Sequence, residues 1–288
     1  DRLPADGQRI LEAASVLGQR FSAAALCHLT SKDDCLPRAA LRAGMLRAEG
    51  PSFAFTHALI QEGIYRSMLR ARRTELHRLA AQHHGGRDPA LRAEHLERAG
   101  DAQAAQAYLD AAAAERAGFR SSAAVALADR GLALNPEPEV RGRLLLMRAE
   151  ALLDAGQARA AQDGFTLALA AVEDERQRCS ALLGLAGARR IIDDLPGALE
   201  ALERAQALAN GLDDAELLSR IHNLRGNVFF PQGRSKECIA EQRLALQWAE
   251  RSGSTEAVAR ALGGLGDAEY AAGHLGRARE AFLRCVAV

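Results

Sequence analysis

The chain has 288 residues, 48% of them hydrophobic but only 4% aromatic, and its 37 Lys+Arg are balanced by 37 Asp+Glu. That length holds one or two domains, or one domain with a repeat array, and the balanced charge excludes a global field favouring nucleic acid or membrane. Small residues, above all Ala, carry the apolar fraction, which suits helices packed closely in pairs rather than around one thick core.

Asp6 is placed to cap a first helix running to about Leu17, with Ile10, Leu11, Ala14 and Leu17 inward and Gly18 stopping it. Ser22 caps a short helix over 23–29. Asp33 and Asp34 precede Pro37, which fits the first turn of a third helix running to about Ala43, and Gly44 ends it. Two short segments, 45–49 and 52–56, flank Gly50-Pro51 and read as a β-hairpin. A helix starting near His57 then places Leu59, Ile60, Ile64, Met68 and Leu69 at helical spacing. Helix–helix–helix–hairpin–helix is the order of a winged-helix domain. One more helix, 72–84, is broken by Gly85-Gly86-Arg87-Asp88-Pro89, which puts a domain boundary at residue 86.

From Ala90 onward the pattern is helical hairpins. Gly100–Ala105 and Gly118–Ala123 show a turn residue with a small residue five positions on. They predict degenerate helices over 87–138, the middle one shared by two pairs, before Pro136 and Pro138 punctuate the chain. The same signature then repeats regularly as Gly156 with Ala161, Asp193 with Ala198, Gly233 with Cys238 and Gly273 with Ala278, at spacings of 37, 40 and 40 residues. Four residues after each small one come Phe165, Leu202, Gln242 and Phe282, and three further on Ala168, Ala205, Ala245 and Cys285. Seven before each turn residue stand Ala149, Ala186, Gly226 and Gly266. Small residues on both helices of a pair, with a bulky one on the second, are what close antiparallel packing requires, and the period belongs to a helix-pair solenoid.

These positions resemble the tetratricopeptide repeat over residues 139–288, with longer units and with Asp193 in place of a turn glycine. The expected fold class is therefore all-α, apart from one small hairpin: a winged-helix module over 1–86, degenerate helical repeats over 87–138, and an α-α superhelix over 139–288. By the resemblance, the first helix of each pair lines the concave side, which places Arg143, Arg220, Asn223, Asn227, Arg260, Asp267 and Tyr270 there. Asn223 and Asn227 lie four apart on one face, as in peptide-binding tetratricopeptide arrays, where amides bond a peptide backbone; they are otherwise polar solenoid surface. Trp248 reads as a packing residue on a second helix.

The pieces LEAASVLGQRFS (11–22), AGMLRAE (43–49), FAFTHALIQEGIY (53–65) and RTELHRLAA (73–81), in that order, resemble the winged helix of bacterial signal-transduction ATPases with numerous domains, the STAND class. Its relatives include regulators of the LuxR and antibiotic-regulatory types and cyclase-linked ATPases. In that class a nucleotide-binding domain precedes the winged helix and superstructure-forming repeats follow it. A histidine opening the helix after the hairpin reaches the phosphates of bound ADP. His57 matches that position, where a helix N-terminus adds partial positive charge; the alternative is a packing or capping role. The chain carries no GxxxxGK[ST] motif, so the resemblance implies no cofactor within these residues and ATP or ADP only in a longer protein. The missing initiator Met is read as the mark of a fragment.

Other chemistry is thin. DNA reading by the third helix is disfavoured by Asp33 and Asp34 and leaves only Arg38 and Arg42. Arg66, Arg70, Arg72, Arg73 and Arg78 read as a solvated or domain-contacting face. His77, His83 and His84 have no partner at metal-ligand spacing, so no metal site is expected, and no nucleophile has a visible base, so no catalytic residue is. Five cysteines (Cys27, Cys35, Cys179, Cys238, Cys285) in no CxxC spacing read as reduced thiols of a cytoplasmic protein. No apolar run approaches the ~20 residues of a membrane span, and no signal peptide opens the chain. The expected role is regulatory: a solenoid binding a protein, peptide or small effector, coupled to a nucleotide-binding domain and self-associating through its last repeat. The alternative is a constitutive scaffold for partner proteins.

Overall fold

A computed structural model describes residues 4–31 and 35–288; Asp33 and Asp34, the expected acidic start of the third helix, lie outside the described residues. Among those described are sixteen α-helices and one three-stranded sheet. None of the helices is long and apolar enough to cross a membrane. The contacts divide the chain into two units, Asp1–Ala114 and Glu115–Val288.

The first unit runs α1 (Ala5–Leu17), β1 (Arg20–Ser22), α2 (Ala23–Thr30), α3 (Arg38–Arg42), β2 (Leu46–Glu49), β3 (Ser52–Phe55), α4 (Ala58–Ser67) and α5 (Arg70–His84). The hairpin is present, in register from Leu46↔Phe55 to Glu49↔Ser52. Gly50, at φ 62°, supplies the positive φ that a two-residue loop needs. The sheet also holds a strand beyond the expected pair: β1 joins the other edge of β3, giving the order β1-β3-β2. Three residues are too few to show an alternation. Burial of Phe21 explains the strand, since its ring lies 6.1 and 6.0 Å from those of Phe53 and Phe55. With Leu11, Leu26 and Leu76 these rings form the core of the unit.

Several local expectations are corrected. Pro4, not Asp6, holds the cap position of α1 and makes no side-chain cap; Asp6 sits in the first turn, where its charge suits the helix dipole. Ser22 does cap α2, its Oγ accepting from Ala25 N at 3.1 Å. Along α4 only a narrow stripe faces inward: Ile60, Ile64 and Tyr65 pack on the core, while Leu59 and Leu69 are 79% and 80% exposed. Leu69 leaves that stripe because the helix ends at Ser67 and Met68 is extended. Cys27 and Cys35 form a disulfide, against the expectation of five thiols. The chain returns after α2 with the two Cα atoms 5.1 Å apart, within bridging range. Cys179 and Cys238 remain buried thiols.

Two further helices are α6 (Pro89–Ala99), capped by Asp88 through Leu91 N at 3.0 Å, and α7 (Ala104–Ala117), which crosses the division between units. Helix α6 packs back on α5. It pairs with α7 through fully buried Tyr108, whose Oη donates to Glu97.

The second unit continues with α8 (Ser121–Ala133), α9 (Pro138–Asp154), α10 (Ala158–Ala171), α11 (Glu175–Ile191), α12 (Leu195–Leu212), α13 (Ala215–Phe229), α14 (Ser235–Ser252), α15 (Thr255–Ala271) and α16 (Leu275–Ala287). From α9 on they form antiparallel pairs, and each first helix also touches the next first helix. All four expected turn residues are left-handed: Gly156 at φ 76°, Asp193 at 67°, Gly233 at 68° and Gly273 at 80°. The small residues after them, Ala161, Ala198, Cys238 and Ala278, are buried. A further periodic feature is the cap of each later first helix: Asp174, Asp214 and Ser254 accept from the backbone N–H three residues on, at 2.8, 3.0 and 3.2 Å. The upstream signature is shifted by one residue from its expected place. Phe119, not Gly118, is left-handed at φ 59°, and Ala124, not Ala123, is the buried small residue.

The bulky residue nine after a turn sits against the position nine before the next turn. A Cβ built on Gly184 of α11 would lie 2.2 Å from the Phe165 ring of α10, and one on Gly264 of α15 2.6 Å from Gln242 of α14. Gly184→Ala therefore forces the Phe165 ring to move and should cost about 1–3 kcal/mol. Phe165→Leu added to it should recover part of that loss, as urea unfolding of both variants would show. Asp193→Gly relieves a left-handed Asp and should raise stability by roughly 0.5–1 kcal/mol, read as a higher Tm.

Candidate functional site

Two surfaces follow from this framework. The first is the N-terminus of α4. His57 holds its cap position in extended conformation, φ −139° and ψ 135°, with no side-chain cap hydrogen bond. Its side chain is exposed. The imidazole is neither buried in packing nor spent on the helix, and stands at the helix N-terminus, where Ile60 N donates to His57 O at 3.1 Å. The helix itself is fixed from below, where Gln61 Nε2 donates to Ser15 O at 2.7 Å. The arginines downstream are mostly engaged with neighbours: Arg66 with Glu62, Arg72 with Glu75 and Glu12, and Arg78 with Asp101. Arg73 lies over the Tyr65 ring.

The second surface is the row of first helices in the second unit. Of the residues expected there, Arg220, Arg260, Asp267 and Tyr270 are exposed, Tyr270 by 65%, and Arg143 is half-buried. Arg260 pairs with Glu256 one turn before it, at 2.5 Å. Three residues that the sequence did not single out form ion pairs at α9. Arg116 reaches Glu150 and Asp154 on α9, each at 2.6 Å. Burial raises the Glu150 carboxyl above its usual range, while Arg116 and Arg220 pull against it. A residue on α13 thus acts on one on α9.

The asparagines are placed differently from the expectation. Asn223 is buried, and its Nδ2 donates to Gln242 Oε1 at 2.9 Å. Gln242 Nε2 donates in turn to Asn223 O at 3.2 Å and Asn227 Oδ1 at 3.0 Å. Gln242 is fully buried, at the position where other pairs carry Phe165 and Leu202. A buried amide must find partners for both its ends, and Asn223 and Asn227 are those partners. Their amides serve the α13–α14 pair first, and only half-buried Asn227 still reaches the surface. Nearby, His222 Nδ1 lies 2.7 Å from Glu241 Oε2, and Arg225 donates to Gln206 Oε1 at 2.6 Å. At α15, Glu269 is buried with Arg243 at 2.7 Å and His274 at 2.6 Å. Burial opposes its ionisation, but the hydrogen bonds from His274 and Arg243 outweigh that and hold the carboxyl below its usual range. Trp248 packs on the solenoid core from α14. Among the described residues, no group of three or more His, Cys, Asp or Glu is placed to hold a metal ion.

Residues 217–288 match the model of the tetratricopeptide repeat. No curated protein matches the chain. Among solved structures, the chain is similar to a signal transduction ATPase with numerous domains (STAND) that carries a tetratricopeptide repeat sensor, from Pyrococcus horikoshii. The identity is 12% and the TM-score 0.66, over 99% of this chain and 44% of that one. It is also similar to the apo form of RapI, at 12% identity and TM-score 0.55 over 98% of this chain and 76% of that one. A Rap protein complexed with competence and sporulation factor gives 15% identity and TM-score 0.52, over 79% and 57%. The chain spans less than half the length of the first of these, and at such identities the likeness is one of fold: a helical solenoid of tetratricopeptide type.

Gln242→Met keeps the volume but leaves the amides of Asn223 and Asn227 without their partner, which should cost about 1–3 kcal/mol. The pair Asn223→Ala and Asn227→Ala takes the donor from Gln242 Oε1 and leaves its Nε2 only the backbone oxygen of residue 223, and should destabilise by a similar amount, also seen in urea unfolding. Wild-type stability in both variants would mean that the cluster is hydrated rather than closed.

Proposed function

We propose that this chain is the sensor and interaction segment of a STAND-type signalling ATPase or transcriptional regulator. Residues 1–86 act as its winged helix, 87–138 as degenerate repeats and 139–288 as an effector-binding solenoid. The observation that carries the reading is the exposed, uncommitted His57 at the N-terminus of α4, on a module followed in the same chain by tetratricopeptide-type pairs. The element order α-β-α-α-β-β of residues 5–55 supports the winged-helix assignment. Likeness of fold to a STAND protein with a repeat sensor over 99% of the chain supports the whole arrangement.

In this reading His57 donates to a phosphate of ADP held by a nucleotide-binding domain, and that contact keeps the resting arrangement. The solenoid takes a protein or peptide on its inner row through Arg143, Arg220, Arg260, Asp267 and Tyr270, with Asn227 at its floor. Ligand binding shifts the balance between two arrangements by its differential affinity for them. No chemistry is assigned to these residues, and ATP or ADP belongs to the longer protein. The second reading, a constitutive scaffold, takes support from the Asn223–Gln242 network, which rigidifies the α13–α14 pair without any ligand.

The experiment is ADP release from the full-length protein. His57→Ala should speed it about tenfold or more, the loss of one hydrogen bond to a charged group of roughly 1.5 kcal/mol, and should raise basal activity. An unchanged off-rate rejects the role of His57. A full-length gene with no nucleotide-binding domain ahead of residue 1 leaves the scaffold.

A further inference from the structure

Cys27 and Cys35 share a disulfide but not an environment. Cys35 is 2% exposed and belongs to the core with Leu11, Phe21 and Leu26. Cys27, on α2, is half-buried and lines a surface hollow of about 580 Å³ between α2 and α5. Small-molecule sites begin at about 300 Å³, so the hollow is large enough for a small organic ligand.

Two polar groups on its wall are uncommitted. Gln82 of α5 and Arg87, between α5 and α6, are both exposed. Among the described residues Arg87 has no carboxylate within ion-pair distance, and the Gln82 amide makes no hydrogen bond. The rings of His28 on α2 and His83 on α5 complete the wall, 5.3 Å apart. Burial, then His84, Arg87 and His28, lowers His83 below its ordinary value, so that ring is neutral at pH 7 and the fixed charge is that of Arg87.

A disulfide opens when a thiolate attacks one sulfur and expels the other. Burial decides which sulfur is attacked: the hollow reaches Cys27, and Cys35 is covered. The released sulfur also has a partner in place. Cys35 Sγ lies 3.5 Å from Ala23 O, which can accept its S–H.

We propose that Cys27 is a thiol-exchange site, at which a small anionic thiol seated against Arg87 and Gln82 opens the bond to Cys35 and stays attached to α2. A carboxylate on the thiol matches the guanidinium of Arg87. The thiolate sulfur bonds to Cys27 Sγ as the Cys27–Cys35 bond breaks. The electron pair of that bond leaves with Cys35 Sγ, which takes the proton that the thiol lost on ionising. The incoming sulfur is oxidised to the disulfide level and Cys35 is reduced to a thiol, so electrons balance without a further reagent. Attack by Cys35 on Cys27 Sγ expels the thiol again and restores the disulfide. Burial favours the thiol form of Cys35 over the thiolate that both directions pass through, so opening and return are slow and the adduct persists. The site involves neither His57 nor the inner row and stands apart from the reading above.

The test uses this 288-residue chain, oxidised so that the disulfide is closed, with glutathione as the anionic thiol and cysteamine as the cationic one. After acid quenching, peptide mass mapping locates the adduct. Glutathione should appear on Cys27 and not on Cys35. At equal thiolate concentration it should react about threefold faster than cysteamine or more, the size of an exposed ion pair. Arg87→Ala should remove that preference without slowing cysteamine. In a second arm, Cys35→Ser presents Cys27 as a free thiol to glutathione disulfide. There Arg87→Ala should slow glutathionylation of Cys27 but not of half-buried Cys285. The site is overturned by adducts on Cys35 or on both sulfurs alike, or by a preference that survives Arg87→Ala. An oxidised chain that glutathione opens only after unfolding in urea, or one in which oxidation leaves both thiols free, overturns it as well.

Discussion

Close approach of helices at small residues is the constraint on which the solenoid depends. Ala161, Ala198 and Cys238 leave the second helix of each pair near the first. The gap that remains between one pair and the next is filled by a single side chain nine residues after the turn. What fills it is matched to what faces it. Phe165 meets Gly184 and Gln242 meets Gly264, whereas Leu202 belongs to the cluster in which Leu224 holds the facing position. At two joints a bulky side chain seats on a glycine, and at the third two leucines take the facing positions, each a different solution to close packing. Phe282, at the same position in α16, lies on Gly266 of its own pair and is 38% exposed on its other side.

Placing an amide at one of these joints brings a second constraint. Gln242 can replace a ring only if its oxygen and nitrogen are both bonded, because an unpaired buried polar group costs more than the bond returns. Gly226 and Gly264, where an added Cβ would in each case lie 2.6 Å from the Gln242 amide, make room for it, and Asn223 and Asn227 satisfy it. The polar face that looked like a ligand surface is therefore partly the lining of a joint. Of the polar residues on the first helices, Arg220, Arg260, Asp267 and Tyr270 stay exposed.

The period, the left-handed turns and the small residues of the second unit were legible because each is a local property of the chain. A turn that needs positive φ selects Gly or Asp at one position, whatever lies elsewhere. The buried partners were not legible: Asn223 and Gln242 are 19 residues apart, and helical spacing shows which face a residue is on, not which neighbour it meets. The first unit divides in the same way. Its hairpin announced itself through Gly50-Pro51 and flanking aromatics. The strand Arg20–Ser22 exists only because β3 offers an edge, and the Cys27–Cys35 bond only because the chain doubles back. His57 was legible as a position, through the resemblance, and its exposure became visible only in three dimensions.

Helix α4 is where these considerations meet. A surface helix ordinarily keeps its place by burying an apolar stripe, and α4 buries no residue completely. Its position rests instead on a partly covered stripe and on directed bonds from Gln61 to Ser15 and between Tyr65 and His77. Directed bonds differ from a buried stripe in one respect: they are broken by small displacements, with little apolar area to re-expose. Elements that move in response to ligands come from the less stable end of a fold. A helix held this way, with His57 outward at one end and Tyr65 bonded to buried His77 near the other, projects from the Phe21–Phe53–Phe55 core without adding a fully buried residue to it.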